Sequence, residues 1–61
     1  MQNYAYIIDY STGTIHELKL NEVDDQLGGE ELCEKYGFNI DETYVLFTTE
    51  QVAIQQIEPK Q

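Results

Sequence analysis

Sixty-one residues make one domain, expected to span 1–61, and a chain this short buries only about 60% of the surface its unfolded form exposes. One cysteine, Cys33, excludes an internal disulfide, and no Cys/His cluster exists to hold structural zinc. Twelve acids against three basic residues give a net charge of −9, which disfavours direct contact with nucleic acid or an anionic membrane.

The opening Met-Gln-Asn-Tyr lacks a basic segment followed by a long apolar run, so no signal peptide is expected. No stretch approaches the roughly 20 apolar residues of a membrane span. With a single thiol, these features place the expected location in the cytoplasm.

Residues 4–20 hold the strongest local signal. Two β-prone runs, expected as strands over 3–10 and 14–20, flank Ser11-Thr12-Gly13 and read as a hairpin. Gly13 suits the left-handed position that closes a three-residue loop. That loop pairs Tyr10 with Thr14 and Ile8 with His16. Side chains alternate across strands, so Tyr4, Tyr6, Ile8, Tyr10, Thr14, His16, Leu18 and Leu20 would share the core face. Ala5, Ile7, Asp9, Ile15, Glu17 and Lys19 would share the other. A four-residue loop starting at Tyr10 is the competing turn and would exchange the faces of one strand.

After Leu20, Asn21 to Gly29 read as a connection, with room for a short 3₁₀ or α turn over 23–27. A helix is expected over about 29–36. Glu30 and Glu31 complement its positive end, and Glu31 stands four residues before Lys35. Leu32, Cys33 and Tyr36 form its apolar stripe. Gly37 suits a left-handed cap, with Phe38 folded back on Cys33. Ile40 is expected to plug the open end of the core. Residues 43–48 read as an interior strand, and 52–58 as a weaker edge strand interrupted by Gln55 and Gln56. Residues 59–61 form a frayed tail.

The expected fold is therefore α+β: a small ββαββ domain with a mainly antiparallel four-stranded sheet and the helix on one face. The helix covers Tyr6, Ile8, Leu18 and Leu20. The other face then keeps Ala5, Ile7 and Ile15 with Val45 and Phe47, or with Tyr44 and Leu46, exposed. Apolar surface of that kind is unusual on a monomer, so a second copy is expected to cover it in a homodimer.

No catalytic constellation emerges. His16 has no partner at a recognisable spacing. Cys33 lies on the apolar stripe beside Glu34, an unfavourable place for a nucleophile. No cofactor, metal or catalytic residue is expected, and the chain is not read as an enzyme. Glu22, Asp24, Asp25, Glu30, Glu31 and Glu34 hold half of the acids within thirteen residues, but the order of a calcium loop is absent. They form a candidate docking surface for a basic protein. The expected function is a small acidic protein–protein interaction module that self-associates through its open sheet face. The alternative is an acidic inhibitor that mimics DNA and blocks the nucleic-acid site of an enzyme.

Overall fold

The computed structural model describes residues 2–59. Three strands form one antiparallel sheet: β1 (Tyr4–Asp9), β2 (Thr14–Lys19) and β3 (Thr43–Thr48). Their order is β2-β1-β3, so β1 is central and β3 lies at an edge. One helix, α1 (Gly29–Tyr36), packs on one face, and 3₁₀ turns occupy Asp24–Gln26 and Ile40–Glu42.

The sheet has three strands, not four, and this corrects the expected ββαββ arrangement while leaving the α+β class. Residues 51–59 form no strand. The Thr48 hydroxyl donates to the Glu50 carbonyl at 2.7 Å, turning the chain off the β3 line. The Val52 N–H then donates to the Tyr6 hydroxyl at 2.7 Å, a side chain of the central strand. The backbone donor that would have opened a fourth ladder is thus held by a phenol. Of the expected frayed tail, 60 and 61 lie outside the described residues.

The hairpin loop has four residues. Asp9 pairs with Thr14, Ile8 with Ile15 and Tyr6 with Glu17, one step from the three-residue register. The Asp9 carboxylate accepts from the Ser11 N–H at 2.9 Å and the Ser11 hydroxyl at 2.6 Å. This Asx-type turn ends the strand at Asp9 and puts Tyr10 in the loop. The Ser11 hydroxyl is also the main reason that the Asp9 carboxyl is held below its usual range. Gly13 takes φ 68°, and its N–H donates to the Asp9 carbonyl at 2.8 Å.

Directly paired residues share a face. One face carries Ala5 and Ile7 with His16, Leu18, Val45 and Phe47; the other carries Tyr4, Tyr6 and Ile8 with Ile15, Glu17, Tyr44 and Leu46. The helix lies on the first. Leu32 and Cys33 are buried there with Ala5 and Ile7. A Cβ on Gly29 would stand 3.5 Å from Val45 Cβ, so the start of α1 sits close to β3. Near its other end, Cys33 Sγ lies 3.5 Å from Thr43 Oγ1. The helix thus prefers the aliphatic face over the tyrosine face, whose hydroxyls need water or a partner.

The helix ends as its sequence implies. Gly37 adopts φ 80°, the Phe38 N–H reaches the Cys33 carbonyl at 2.7 Å, and the Gly37 N–H reaches Glu34 at 3.3 Å. These two bonds form a Schellman motif. Ile40 does not plug the core: it opens a 3₁₀ turn and stays exposed, while Asn39 Oδ1 accepts from the Asp41 N–H at 3.0 Å.

Apolar burial among the described residues is confined to Ala5, Tyr6, Ile7, Leu32 and Cys33. So small a core leaves little margin against a total stability of roughly 3–9 kcal/mol for a chain of this length. Leu32→Ala removes the side chain that joins helix to sheet and is expected to cost about 3 kcal/mol. Urea unfolding followed by circular dichroism should show the midpoint falling steeply, whereas the exposed change Val23→Ala leaves it nearly unmoved.

Candidate functional site

The uncovered face of the sheet leaves apolar side chains exposed. Ile15 and Tyr44 are each 53% exposed there, and Leu46 is exposed between them and the tail. Tyr4 and Tyr6 stack with ring centroids 6.5 Å apart. A groove of about 220 Å³ runs between Tyr6, Ile8, Ile15 and Leu46 on one side and Val52 and Ile54 on the other. The tail spans this groove without filling it.

Three polar contacts fix where the tail crosses. The Tyr6 hydroxyl donates to Glu17 Oε2 at 2.8 Å while it accepts from the Val52 N–H. Gln51 Nε2 reaches the same carboxylate at 3.2–3.3 Å. Tyr6 is buried, and this burial is the largest reason that its hydroxyl is pushed above its usual range; the nearby Glu17 charge acts the same way. The tail therefore runs from the end of β3 across β1 toward β2. Beyond Ile54, which still borders the groove, Ile57 is 92% exposed.

The residues expected to form an interaction face are divided. Ala5 and Ile7 are buried beneath the helix, and Val45 and Phe47 share that side of the sheet. Ile15 alone stands on the open face. The residues that accompany it are Tyr44 and Leu46, with Tyr4 and Tyr6. The sequence signal for this division is Asp9 followed two residues later by Ser11, which marks the longer loop.

The acidic stretch is divided too. Asp24 is only 1% exposed and belongs to the interior. Lys35 Nζ pairs with its Oδ1, and the Tyr36 hydroxyl donates to its Oδ2 at 2.7 Å. Its N–H donates to Asn21 Oδ1 at 2.8 Å, which seats the 3₁₀ turn. Lys35 thus serves Asp24 rather than Glu31, and it also lies 5.4 Å from the Tyr36 ring centroid. Glu30, Glu31 and Glu34 remain exposed on the helix. Glu22 and Asp25 line a shallow depression with Gln2, Asn3 and Gln26. Among the described residues no group of three metal-ligating side chains comes together.

His16 is exposed, with its ring centroid 4.9 Å from that of Phe38. Cys33 is buried beside Thr43, and no hydrogen bond joins it to His16. Among the described residues no helix is long and apolar enough to cross a membrane. Comparison with protein families, curated proteins and solved structures finds no match to this chain.

The Asp24 cluster sets a pH window. The hydrogen bond from Lys35, then that from Tyr36, holds the Asp24 carboxyl below its ordinary 3.8. A depressed acid contributes stability above its unfolded value and loses it as pH falls through its folded value. Asp24 in turn raises Lys35 above 10.5 and Tyr36 above 10.0. Their contribution is complete below those values and is lost as pH rises past the folded ones. Thermal unfolding across pH should therefore lose stability below about pH 4 and above about pH 10, and Asp24→Asn should flatten both limbs. Tyr6→Phe removes the acceptor for the Val52 N–H together with the donor to Glu17. Exchange of the Val52 amide should then accelerate about tenfold, as loss of one hydrogen bond implies.

Proposed function

We propose that the protein is a small acidic interaction module that binds another protein through the open face of its sheet. The observation that carries this reading is the exposure of Ile15 and Leu46 along an unfilled apolar groove, with Tyr44 exposed on the same face. A three-stranded sheet with one helix can cover only one of its faces, and the remaining face keeps Ile15, Tyr44 and Leu46 together in solvent, as an interaction surface would. Tyrosine suits such a role because its rigid ring covers area at low entropic cost and its hydroxyl tolerates a wet rim. The module acts by contact and needs no chemistry of its own.

The partner meets an apolar centre with an acidic rim, since Glu17 borders the groove and the chain carries −9 overall. A partner with a basic rim is favoured during approach, while the apolar centre supplies most of the affinity. Capture from the native cell by tagged protein, at low and high salt, tests this. Ile15→Lys should abolish capture while leaving the circular dichroism spectrum unchanged, and capture by the unaltered chain should survive about 0.5 M salt. Partners that vanish with salt and ignore Ile15→Lys would instead favour the acidic helix surface of Glu30, Glu31 and Glu34. In that case the protein is an acidic competitor for a basic site, as a nucleic-acid mimic would be.

A further inference from the structure

We infer that the outer edge of β3 pairs, antiparallel, with β3 of a second copy of this chain. The inference begins with the ladder. The Tyr10 N–H donates to the Glu42 carbonyl at 2.8 Å, which fixes the phase of pairing between β1 and β3. In an antiparallel ladder alternate residues turn their backbone groups inward and outward. Tyr44, Leu46 and Thr48 therefore face β1, while Thr43, Val45 and Phe47 face away from it. The Thr43 N–H is taken by the Ile40 carbonyl. Among the described residues, no strand pairs with the outer side of Val45 and Phe47, and no turn or tail hydrogen-bonds to their backbone there.

The two sheet edges differ in how they are guarded. The outer edge of β2 carries Glu17 and Lys19, and charge on an edge is a usual defence against unwanted strands. The edge at β3 reads Thr-Tyr-Val-Leu-Phe-Thr and carries none. The tail leaves it open, because it crosses toward Tyr6 and Glu17 on the face. Such an edge is a template for one further strand.

Charge and symmetry select a second copy. Each chain carries −9, so two copies approach best where neither bears charge, and β3 is the uncharged strand of the sheet. An antiparallel edge is its own complement under a two-fold axis, so Val45 and Phe47 of one copy supply what the other lacks. Glu42 and Glu50 bracket the strand in sequence and would confine the pairing to its six residues. The product is a six-stranded sheet in which two open faces stand side by side. The inference does not rest on the role proposed for the open face, which uses different atoms.

The experiment uses the full chain made by chemical synthesis, with and without N-methyl groups on Val45 and Phe47. N-methylation removes the outward donors and blocks the edge while it keeps both side chains under the helix. Sedimentation equilibrium from about 10 μM to about 1 mM should show the unmodified chain moving toward twice its 7.1 kDa, as a small interface implies. Raising salt should tighten the association, because like-charged copies are being screened. N-methylation should weaken it at least about tenfold, the loss of one or two hydrogen bonds. In the unmodified chain, exchange of the Val45 and Phe47 amides should slow as concentration rises. That readout holds even if the methylated chain folds poorly. A mass of one chain throughout, or fast exchange at both amides at every concentration, overturns the inference. So does a dimer that ignores N-methylation, or one that Ile15→Lys dissolves.

Discussion

The grip of the Asp9 carboxylate on Ser11 is the contact from which the rest of the arrangement follows. It ends β1 one residue early and makes the loop four residues long. Loop length sets register, and a one-residue change of register moves every side chain of a strand to the other face. With this loop, Leu18 stands opposite Ala5 and Ile15 opposite Ile8. Ala5 and Ile7 then form, with Val45 and Phe47, a floor without hydroxyl groups. Leu32 and Cys33 can lie on it without stranding a polar atom. The tyrosines are left on the far side, where their hydroxyls meet water, Glu17 or the tail.

Much of the helical half was legible because its signals are local. Glu30, Glu31, Gly37 and Phe38 each act within a turn of their own position, and α1 has the bounds they imply. The β3 segment was legible for a similar reason, as four consecutive apolar residues between threonines leave little alternative. The register was not legible from Gly13, because a left-handed glycine closes the loop of three and the loop of four equally well. The deciding side chain was Asp9, which reads as an ordinary strand terminus until its partner is seen. The candidate face inherited that ambiguity. The pattern over 52–58 alternates well enough for a strand, yet one phenol–amide bond at Val52 directs the chain elsewhere.

The acids of this chain are not equivalent, although composition treats them so. Asp24 holds the polar tips of Lys35 and Tyr36 and thereby ties the connection before Gly28 to the last turn of the helix. A buried carboxylate must be paired to remain charged, and it outcompetes an exposed one for a scarce lysine. Glu31 has the favourable helical spacing but offers Lys35 only a wet surface pair, which is worth little. One of three basic residues is thus committed to a buried carboxylate, while its own side chain stays exposed. The outward surface of the helix is correspondingly more acidic than the sequence spacing of Glu31 and Lys35 implies.

The central place of β1 bears on how the chain is made. The strand synthesised first has one partner nearby, β2, and a second that arrives only with residues 43–48. Until then the nascent chain holds an isolated hairpin, which is marginal in water. Its Ala5 and Ile7 floor has neither helix nor third strand to seal it. Closing the sheet requires a contact between distant parts of the sequence, and such contacts form slowly because a long loop must be ordered first. Until residues 43–48 join it, the hairpin therefore shows solvent the surface that the folded protein hides most completely.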